Sequence, residues 1–357
     1  MTTDAQILTA LRNAGHGSVS GTELSQELGI SRAAIWAHIE ELRGLGYDIE
    51  AGPHLGYRLL NAPDALHADD LISRLDSSTR GNRAGLAERP REPGPATQKR
   101  PARTPAPPPR IIGRDIRVFQ ETTSTNDVIE KLARDGVKEG VVVFAECQTR
   151  GRGRLGRKWI SPPHQGLWFS VLLRPDLLPQ ETTQLTVASA TALVRAIRLA
   201  TGLKAWIKWP NDIVMGGRKV AGILTELSAE LDRVKYIILG IGVNANLGAG
   251  DFPPDLRKAA TSLSMEAGRA ISRPELATAI LSELDDDYAR VSSGLFGAVA
   301  DEWEASCSIL GRDVVIRVGD RQIRGRAESL GEDGALLLRT DHGHLERITG
   351  GDVTLER

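Results

Sequence analysis

The stretch Val141–Trp159 reads VVVFAECQTRGRGRLGRKW. Its first part is an unbroken apolar run that begins with three valines, which is typical of a strand buried on both faces. Its second part places four arginines and one lysine among three glycines. A buried strand that opens directly into a flexible, positively charged loop predicts an anion-binding site at the mouth of the core. A solvated basic turn and a nucleic-acid patch are the two other interpretations.

The residue types of this loop suit a phosphorylated ligand. Its glycines leave successive backbone N–H groups free to point at an anion, and its arginines supply planar, permanently charged donors. These residues are Gly151, Arg152, Gly153, Arg154, Gly156 and Arg157. Trp159 adds a flat face that can stack on a nucleobase. The loop contains neither GxxxxGK[ST] nor GxGxxG, so a P-loop or a Rossmann site is not expected. Without a ligand, its like charges should repel one another.

The composition limits what kind of protein this is. The 357 residues are 41% hydrophobic, which is ample for a sizeable core, and a chain of this length is expected to form more than one domain. Because 45 basic residues balance 46 acidic ones, any affinity for nucleic acid must come from a local surface. Cys147 and Cys307 lie far apart without a CxxC motif, so neither a disulfide scaffold nor a metal site is expected. Together with a polar N-terminus and no long apolar run, this predicts a cytoplasmic protein without a membrane span.

A change of composition separates two folded parts. Residues 77–110 hold eight of the chain's 18 prolines and no aromatic residue, Val, Ile or Met. Such a segment cannot bury enough apolar surface to offset the entropy of ordering it. We therefore expect a linker over residues 65–110 that is disordered and partly polyproline from about residue 77. Its eight basic residues against two glutamates leave open non-specific attraction to nucleic acid.

Residues 1–64 carry the pattern of a winged helix-turn-helix. Ser20 and Glu23 have the spacing of a capping box and predict the start of a second helix. Gly29 predicts the turn, and Ser31 predicts the cap of a third helix. Tyr47–Leu60 then reads as two strands around a Gly/Pro turn, which would form the wing.

This module predicts DNA binding through its helix-turn-helix, Gly21 to Glu40. Small outward residues allow the backbone to approach a groove, while a hydroxyl and a guanidinium can reach phosphates or base edges. The candidate contacts are Thr22, Ser31, Arg32, Ala33 and Trp36. A helix-turn-helix used only for structure or dimerisation is the alternative.

The remainder divides into a mixed-sheet domain and a small all-β domain. Residues 111–305 alternate strand-like runs with helical stretches, including helices near Ser124–Arg134 and Thr182–Thr201. Residues 306–357 contain four or five short strands separated by Gly/Asp turns, which predicts a small SH3-like barrel. The predicted fold class is α+β and multidomain.

Three further segments are candidates for ligand contacts. Lys208 lies in the apolar strand AWIKW, where an unpaired ammonium is unfavourable unless it faces an anion or extends to the surface. TTSTND, Thr122–Asp127, reads first as a helix N-cap, although its hydroxyls and amide can also hold a polar head group. LGIGVNANL, Leu239–Leu247, combines glycines that admit close approach with Asn244, which could bond a ribose or phosphate.

Taken together, these segments resemble the bacterial bifunctional biotin–protein ligase and biotin operon repressor family. GRGRLGRKW matches the family's glycine-arginine signature, and STN, KWPNDI, KVAGILTE and GIGVN occur in the family's order. SRAAIWAHIEELR is similar to its recognition helix. The resemblance covers about residues 4–72 and 111–357, and the long Pro/Arg segment departs from the family, whose domains are joined more closely.

The resemblance implies a role for each matching residue. It assigns biotin binding to Ser124, Thr125, Asn126, Gln148, Arg152, Gly153, Arg154 and Lys208. It assigns the nucleotide to Arg157, Trp159 and Asn244, with Lys208 and Arg154 as the catalytic cations. Because two anions must approach each other, such a site needs cations more than it needs a general base.

The resemblance also implies the reaction and its partners. Biotin and MgATP would form biotinyl-5′-AMP and pyrophosphate, and a lysine of a biotin carboxyl carrier protein would then accept biotin. Mg²⁺ would enter with ATP and without a protein cage. The adenylate would promote a homodimer that binds operator DNA. Three alternatives remain: a biotin-sensing regulator without ligase activity, a lipoate-type ligase, and a protein that uses the basic loop to bind nucleic acid directly.

Overall fold

The computed structural model of the chain describes residues 1–52, 56–87 and 110–355. The turn of the predicted wing, residues 53–55, and most of the proline-rich segment, residues 88–109, lie outside the described residues. The chain forms two compact units. Met1–Pro63 and His67–Ile111 belong to the first unit, and Asp64–Leu66 and Ile112–Arg357 belong to the second.

The first unit contains the predicted winged helix-turn-helix. Its elements are α1 (Thr3–Asn13), α2 (Gly21–Leu28), α3 (Arg32–Gly44), β1 (Asp48–Gly52), β2 (Gly56–Asn61) and α4 (Ala68–Ala87). β1 and β2 pair as an antiparallel hairpin. The first three helices and the hairpin enclose one apolar core that includes Leu8, Leu24, Ile35 and Ile39. The first unit therefore contains three helices and a hairpin in the order that the predicted winged helix-turn-helix requires.

The helix boundaries follow the predicted caps. The Ser20 hydroxyl accepts from the Glu23 backbone N–H, and the Glu23 carboxylate accepts from the Ser20 backbone N–H, so both halves of the capping box form. Gly29 ends α2 in the left-handed region at φ 67°. The Ser31 hydroxyl then accepts from the Ala34 N–H and starts α3.

The predicted linker differs from the structure at its N-terminal end. Residues 68–87 form α4, although disorder was expected from about residue 77. α4 packs on α1, where the Arg12 guanidinium bonds both the Ser73 hydroxyl and the buried Asp70 carboxylate. Leu71 and Leu75 lie one helical turn apart and are both buried, so their spacing is the sequence signal for this helix.

The second unit is built on a seven-stranded mixed sheet in the order β3-β4-β5-β9-β8-β7-β6. Only β3 and β4 pair in parallel. The strands are β3 (Asp115–Thr122), β4 (Val141–Gln148), β5 (Leu167–Leu173), β6 (Trp206–Lys208), β7 (Asp212–Met215), β8 (Arg218–Glu230) and β9 (Arg233–Val243). The central position of β5 explains why LWFSVLL is buried at all seven residues.

Helices pack around this sheet. They are α5 (Thr125–Arg134), α6 (Thr183–Thr201), α7 (Leu263–Ala267), α8 (Arg273–Ser292) and α9 (Phe296–Ser306). α5 buries Ile129 and Ala133 against β4, β5 and β9. α6 contacts β6, β7 and β8 and packs against α8 and α9. None of the described helices is both long and apolar enough to cross a membrane.

The C-terminal strands form a separate antiparallel sheet within the second unit. They are β10 (Asp313–Val318), β11 (Arg321–Leu330), β12 (Leu336–Thr340), β13 (Leu345–Ile348) and β14 (Asp352–Leu355). Their hydrogen-bonded order is β13-β12-β11-β10-β14. Buried and exposed residues alternate along β11, as they do in a strand with one face toward the core.

A buried arginine ties three parts of the second unit together. Arg273, at the first position of α8, is 2% exposed and pairs with the equally buried Glu146 of β4. Its Nε lies 3.0 Å from Asp64 Oδ2, and its backbone N–H donates to Asp64 Oδ1 at 2.7 Å. The Leu66 N–H donates to the same Glu146 carboxylate at 3.0 Å. Asp64–Leu66 is therefore held within the second unit by Arg273 and Glu146 together.

Replacing Arg273 should be severely destabilising. Arg273→Met leaves the Glu146 carboxylate buried without a cation, and such a change costs about 3–5 kcal/mol. Denaturant unfolding of the full chain measures the effect. As a control, Arg134→Met removes an exposed pair with Glu130 and should leave the midpoint unchanged. Equal midpoints for both variants would contradict a structural role for Arg273.

Candidate functional site

The second unit contains a cavity of about 480 Å³ at the open end of the glycine-arginine loop. Its walls come from this loop, the N-terminus of α5, strands β6, β8 and β9, and the start of β14. Every residue that was predicted to contact biotin or the nucleotide lines it. They are Ser124, Thr125, Asn126, Gln148, Arg152, Gly153, Arg154, Arg157, Trp159, Lys208 and Asn244.

The glycine-arginine loop is a small hairpin closed by its own backbone. The Trp159 N–H donates to the Gly151 carbonyl at 2.9 Å, and the Gly153 N–H donates to the Arg157 carbonyl at 2.7 Å. Gly151 has to be glycine, because a Cβ there would lie 2.5 Å from the Trp159 carbonyl oxygen. These bonds hold the arginines at defined positions around the cavity.

The arginines are not equivalent. Arg152 pairs with both Asp127 of α5 and Glu226 of β8, and these hydrogen bonds, led by the one to Glu226, raise its pKa. Arg157 forms a two-point pair with Asp352 of β14, on the exposed rim. The expected repulsion between unpaired loop charges is therefore wrong for these two arginines, because carboxylates distant in sequence neutralise them.

Arg154 faces the cavity and has no carboxylate partner among the residues that the structure describes. It donates to Asn211 Oδ1 at 3.1 Å, and Asn211 in turn donates to the Ile223 carbonyl of β8. Burial lowers the pKa of its guanidinium, because desolvation disfavours the charged form. An anionic ligand would stabilise the charged guanidinium and so compensate for this desolvation, which makes Arg154 suited to hold one.

Lys208 is the second cation that remains available. It lies at the end of β6 with its side chain toward the cavity, and across the described residues its ammonium has no ion pair or hydrogen bond. The neighbouring Lys219 differs, since its ammonium lies 2.5 Å from Asp212 Oδ1 and 5.2 Å from the centre of the Trp159 ring. The interpretation of Lys208 as a cation facing a ligand is thus favoured over extension to the surface.

A continuous polar chain crosses the other end of the cavity. Gln148 Oε1 accepts from the Thr125 N–H at 2.9 Å and from its hydroxyl at 3.2 Å, while Gln148 Nε2 donates to Ser161. The Ser170 hydroxyl lies 2.7 Å from Thr125 Oγ1 and 2.5 Å from Asn126 Oδ1. The Asn126 amide then donates to Glu226 at 2.6 Å.

The Ser124 side chain does not cap α5, although its sequence context predicts a helix cap. It occupies the N-cap position of α5, yet its side chain makes no capping hydrogen bond. Ser124 is only 3% exposed, and it lines the cavity. The hydroxyl is therefore available to a ligand, as the second interpretation of TTSTND required.

The glycines of β8 and β9 make room for side chains. Gly222 and Gly242 face each other across the two strands, and Trp159 lies on both. A Cβ at Gly240 would lie 2.4 Å from Asn126 Oδ1, so Gly240 provides the space for Asn126. Asn244, which was expected to reach the nucleotide, donates its amide to the Thr261 carbonyl at 3.0 Å, and within the described ranges of the chain its Oδ1 accepts no hydrogen bond.

Sequence reasoning missed several polar residues that support the site. Ser170, Asp127, Asn211, Asp212, Lys219 and Glu226 all bond to the predicted residues or line the cavity. Glu226 could have been found, because KVAGILTE ends an apolar strand with a carboxylate. The choice of its partner could not, since Arg152 is 74 residues away.

In the first unit, all five predicted DNA contacts are exposed. Thr22 lies on α2, Ser31 caps α3, and Arg32, Ala33 and Trp36 lie on α3. Trp36 is 58% exposed, which is unusual for an indole and favours a binding surface over a purely structural helix. Over the described part of the chain, one group has the spacing of metal ligands, the surface residues Asp4, His38 and Glu41. His38 and Asp4 already pair with each other there.

Comparison with known families divides the chain in the same way. Residues 4–58 match an HTH domain family, residues 118–244 match the biotin/lipoate A/B protein ligase family, and residues 309–355 match the biotin protein ligase C-terminal domain. The cavity residues from Ser124 to Asn244 all fall within the second match.

Similar proteins cover nearly the whole chain. The bifunctional ligase/repressor BirA of Bacillus subtilis is 35% identical over 349 residues, which is 98% of this chain and 97% of that protein. BirA of Escherichia coli is 29% identical over 94% of this chain and 92% of its own. A solved structure of Aquifex aeolicus biotin protein ligase with biotin and ATP superposes with a TM-score of 0.59 at 31% identity. It covers 68% of this chain and 99% of that one.

The packing of Trp159 against Gly222 and Gly242 can be tested directly. In Gly242→Ala the new Cβ would lie 2.4 Å from Trp159 Cε2, so the indole must move, at a cost of about 1–3 kcal/mol in stability. Thermal unfolding and the near-UV circular dichroism should both change. Gly250→Ala is the control, because its Cβ would have no heavy atom within 4 Å. An unchanged spectrum for Gly242→Ala would place the indole elsewhere.

Proposed function

Because the chain belongs to the family of bifunctional biotin–protein ligases and biotin operon repressors, we propose that it joins biotin to a carrier protein with ATP and represses transcription. The observation that carries the ligase proposal is the convergence in one cavity of two available cations, Arg154 and Lys208, with a buried set of neutral polar groups. One end of the cavity suits an uncharged polar head group, and the other suits anions.

The neutral end is the proposed site for the ureido ring of biotin. A ureido group presents one carbonyl acceptor and two N–H donors, so it needs partners of both kinds. The Ser124 hydroxyl and the second N–H of the Gln148 amide are available to it. Arg152 keeps two of its five N–H groups after its bonds to Asp127 and Glu226. Buried polar groups of this kind discriminate strongly, because a wrong ligand leaves them unpaired.

The anionic end is the proposed place of reaction. A biotin carboxylate oxygen attacks the α-phosphorus of ATP, and pyrophosphate leaves. Lys208 and Arg154 hold both anions and stabilise the charge that develops at phosphorus, which lowers the barrier without a general base. The nearby carboxylate of Asp212 is paired with Lys219, so Mg²⁺ would enter on the phosphates and not in a protein cage.

The nucleotide is proposed to lie between the loop and the rim. Trp159 offers its ring to adenine, and Asn244 offers its free Oδ1. The pair of Arg157 and Asp352 is exposed, and exposed pairs contribute little stability. Arg157 can therefore exchange Asp352 for a phosphate at small cost.

The finer partners follow from this chemistry. The amine of a lysine on a biotin carboxyl carrier protein would attack the mixed anhydride, forming an amide and releasing AMP. The repressor role would use Thr22, Ser31, Arg32, Ala33 and Trp36 on operator DNA, with a homodimer formed when biotinyl-5′-AMP is bound. The adenylate must bind the dimer-competent state more tightly for this coupling to exist.

Two alternatives are separated by specific observations. A sensor without ligase activity would need no second cation beside the half-buried Arg154, so Lys208 argues against it. A lipoate-type ligase would leave the polar groups around Ser124 and Gln148 without partners, because a lipoyl ring carries no hydrogen-bonding groups. The third alternative, direct nucleic-acid binding by the loop, is disfavoured because two of its arginines pair with carboxylates.

Lys208→Ala should abolish adenylate formation. Loss of a preorganised charge at the transferring phosphoryl group typically lowers the rate about 10²- to 10³-fold. Pyrophosphate release from biotin and MgATP measures this step. Transfer from chemically prepared biotinyl-5′-AMP to an apo carrier domain should be impaired less. Lys235→Ala, which removes an exposed lysine paired with Glu230, is the control.

The same assay distinguishes the alternatives. Lys208→Ala with wild-type rates would sink the proposed role of this lysine. Wild-type protein that binds biotin but releases no pyrophosphate would point to the sensor. Turnover of lipoate in place of biotin would point to the lipoate-type ligase.

The DNA-binding surface is tested with Arg32→Ala. The probe is a duplex enriched from a random pool by the wild-type protein in the presence of biotin and MgATP. A lost base contact should weaken binding about tenfold or more, whereas a lost phosphate contact should also reduce the salt slope by about one. Fluorescence anisotropy against salt concentration measures both. Arg198→Ala, an exposed arginine of α6, is the control. Arg32→Ala with wild-type affinity and slope would contradict the assignment.

A further inference from the structure

Glu226 lies behind the cavity wall and contacts two of the residues that form it. We propose that Glu226 is a positioning residue that holds Arg152 and Asn126 together and makes this the end of the site that receives the uncharged ring of biotin. The proposal rests on the proposed function, and it concerns a residue that does not itself line the cavity. Glu226 acts through its two partners.

The geometry around Glu226 is that of a two-sided clamp. Arg152 Nε lies 2.9 Å from Glu226 Oε1, and Arg152 Nη2 lies 3.0 Å from Oε2. The Asn126 amide donates to the same Oε2 at 2.6 Å. One carboxylate thus joins the glycine-arginine loop, the N-terminus of α5 and strand β8. A planar guanidinium held at two points loses rotational freedom, so its remaining N–H groups point in fixed directions.

Asn126 depends on Glu226 for its orientation. Its Oδ1 lies 2.5 Å from the Ser170 hydroxyl, while its amide nitrogen donates to Glu226. An amide between one donor and one acceptor has a single favourable orientation, since rotating it would place N–H against a donor. Thr125 and Gln148 follow in the same chain of hydrogen bonds, so the effect of Glu226 extends to the groups that face the ligand.

Glu226 also makes the two ends of the cavity differ in the sign of their formal charge. Arg152 carries one positive charge against the two carboxylates of Glu226 and Asp127, so this end has a formal charge of −1. Arg154 and Lys208 place two positive charges at the other end. In the register of the sheet, Lys208 lies opposite Asp212, and Asp212 lies opposite Gly222. Gly222 is four residues before Glu226 on β8. Four residues of strand separate the two ends by about 13 Å.

This difference in charge determines the orientation in which biotin binds. Its carboxylate is repelled from the Glu226 end and attracted to Lys208 and Arg154, where it must lie in order to react. Its ureido N–H groups are tolerated at the negative end because they are donors. A neutral side chain at position 226 would keep the shape of the site and lose both effects. The orientation of the substrate is then set before ATP binds.

The test is a double-mutant cycle on biotin binding without ATP. Calorimetry would give the Kd of wild type, Glu226→Gln, Arg152→Met and the double variant. Glu226→Gln should raise the Kd about tenfold, since hydrogen bonds to charged groups contribute that much or more. The loss in the double variant should be smaller than the sum of the two single losses, because part of the effect of Glu226 is exerted through Arg152. The KM for MgATP in pyrophosphate release should not change.

Biotinamide, in which a neutral amide replaces the carboxylate, shows which end is affected. Glu226→Gln should weaken both biotin and biotinamide, whereas Lys208→Ala should weaken biotin alone. Glu230→Gln, on the exposed end of β8, is the matched control and should bind as wild type does. If Glu226→Gln does not fold, Asp127→Asn removes the other carboxylate partner of Arg152 and should raise the Kd by a smaller factor.

The outcomes separate the two proposals. Wild-type protein that fails to bind biotin would overturn the proposed function, and the role of Glu226 with it. If the wild type binds biotin, wild-type affinity in Glu226→Gln would overturn the role of Glu226 alone. The role of Glu226 would also be overturned if the loss of affinity in Glu226→Gln added fully to the loss in Arg152→Met. The same holds if Glu226→Gln weakened biotin but not biotinamide.

Discussion

The antiparallel pairing of β8 with β9 is the contact on which the site depends. Gly222 lies opposite Gly242, and Leu224 lies opposite Gly240, so two gaps open on the surface of the sheet. Trp159 fills one gap and Asn126 fills the other. Because side chains alternate along a strand, a shift of one residue would move these gaps to the opposite face. Glu226, two residues after Leu224 on the same strand, then meets the amide of Asn126.

Charge distribution divides the basic loop into two functional classes. Arg152 pairs with two partly exposed carboxylates, and Arg157 is paired on an exposed rim. Arg154 and Lys208 have no carboxylate partner in the described structure. A binding site for two anions must balance attraction against release, and neutralising part of the loop confines strong attraction to one end. The four arginines of the loop therefore do not form a uniform positive surface.

The chain passes from one unit to the other more than once. The polypeptide leaves the first unit after Pro63, returns to it at His67, and leaves it again after Ile111. Asp64–Leu66 is held in the second unit by Arg273 and Glu146, so the proline-rich segment is not the sole covalent connection. Glu146 is two residues before Gln148 on β4. A buried ion pair thus lies between a connecting segment and a strand of the ligand site.

The sequence by itself determined the local features: the capping box at Ser20, the buried strands β4 and β5, the glycine-arginine loop and the residue types around the cavity. These depend on neighbours within a few residues, where capping, periodicity and backbone freedom act. Only the tertiary structure decided which charges are free, because Arg152 meets Glu226 from 74 residues away and Arg157 meets Asp352 from 195 residues away. Such pairs are set by the packing of whole elements, which no local pattern encodes.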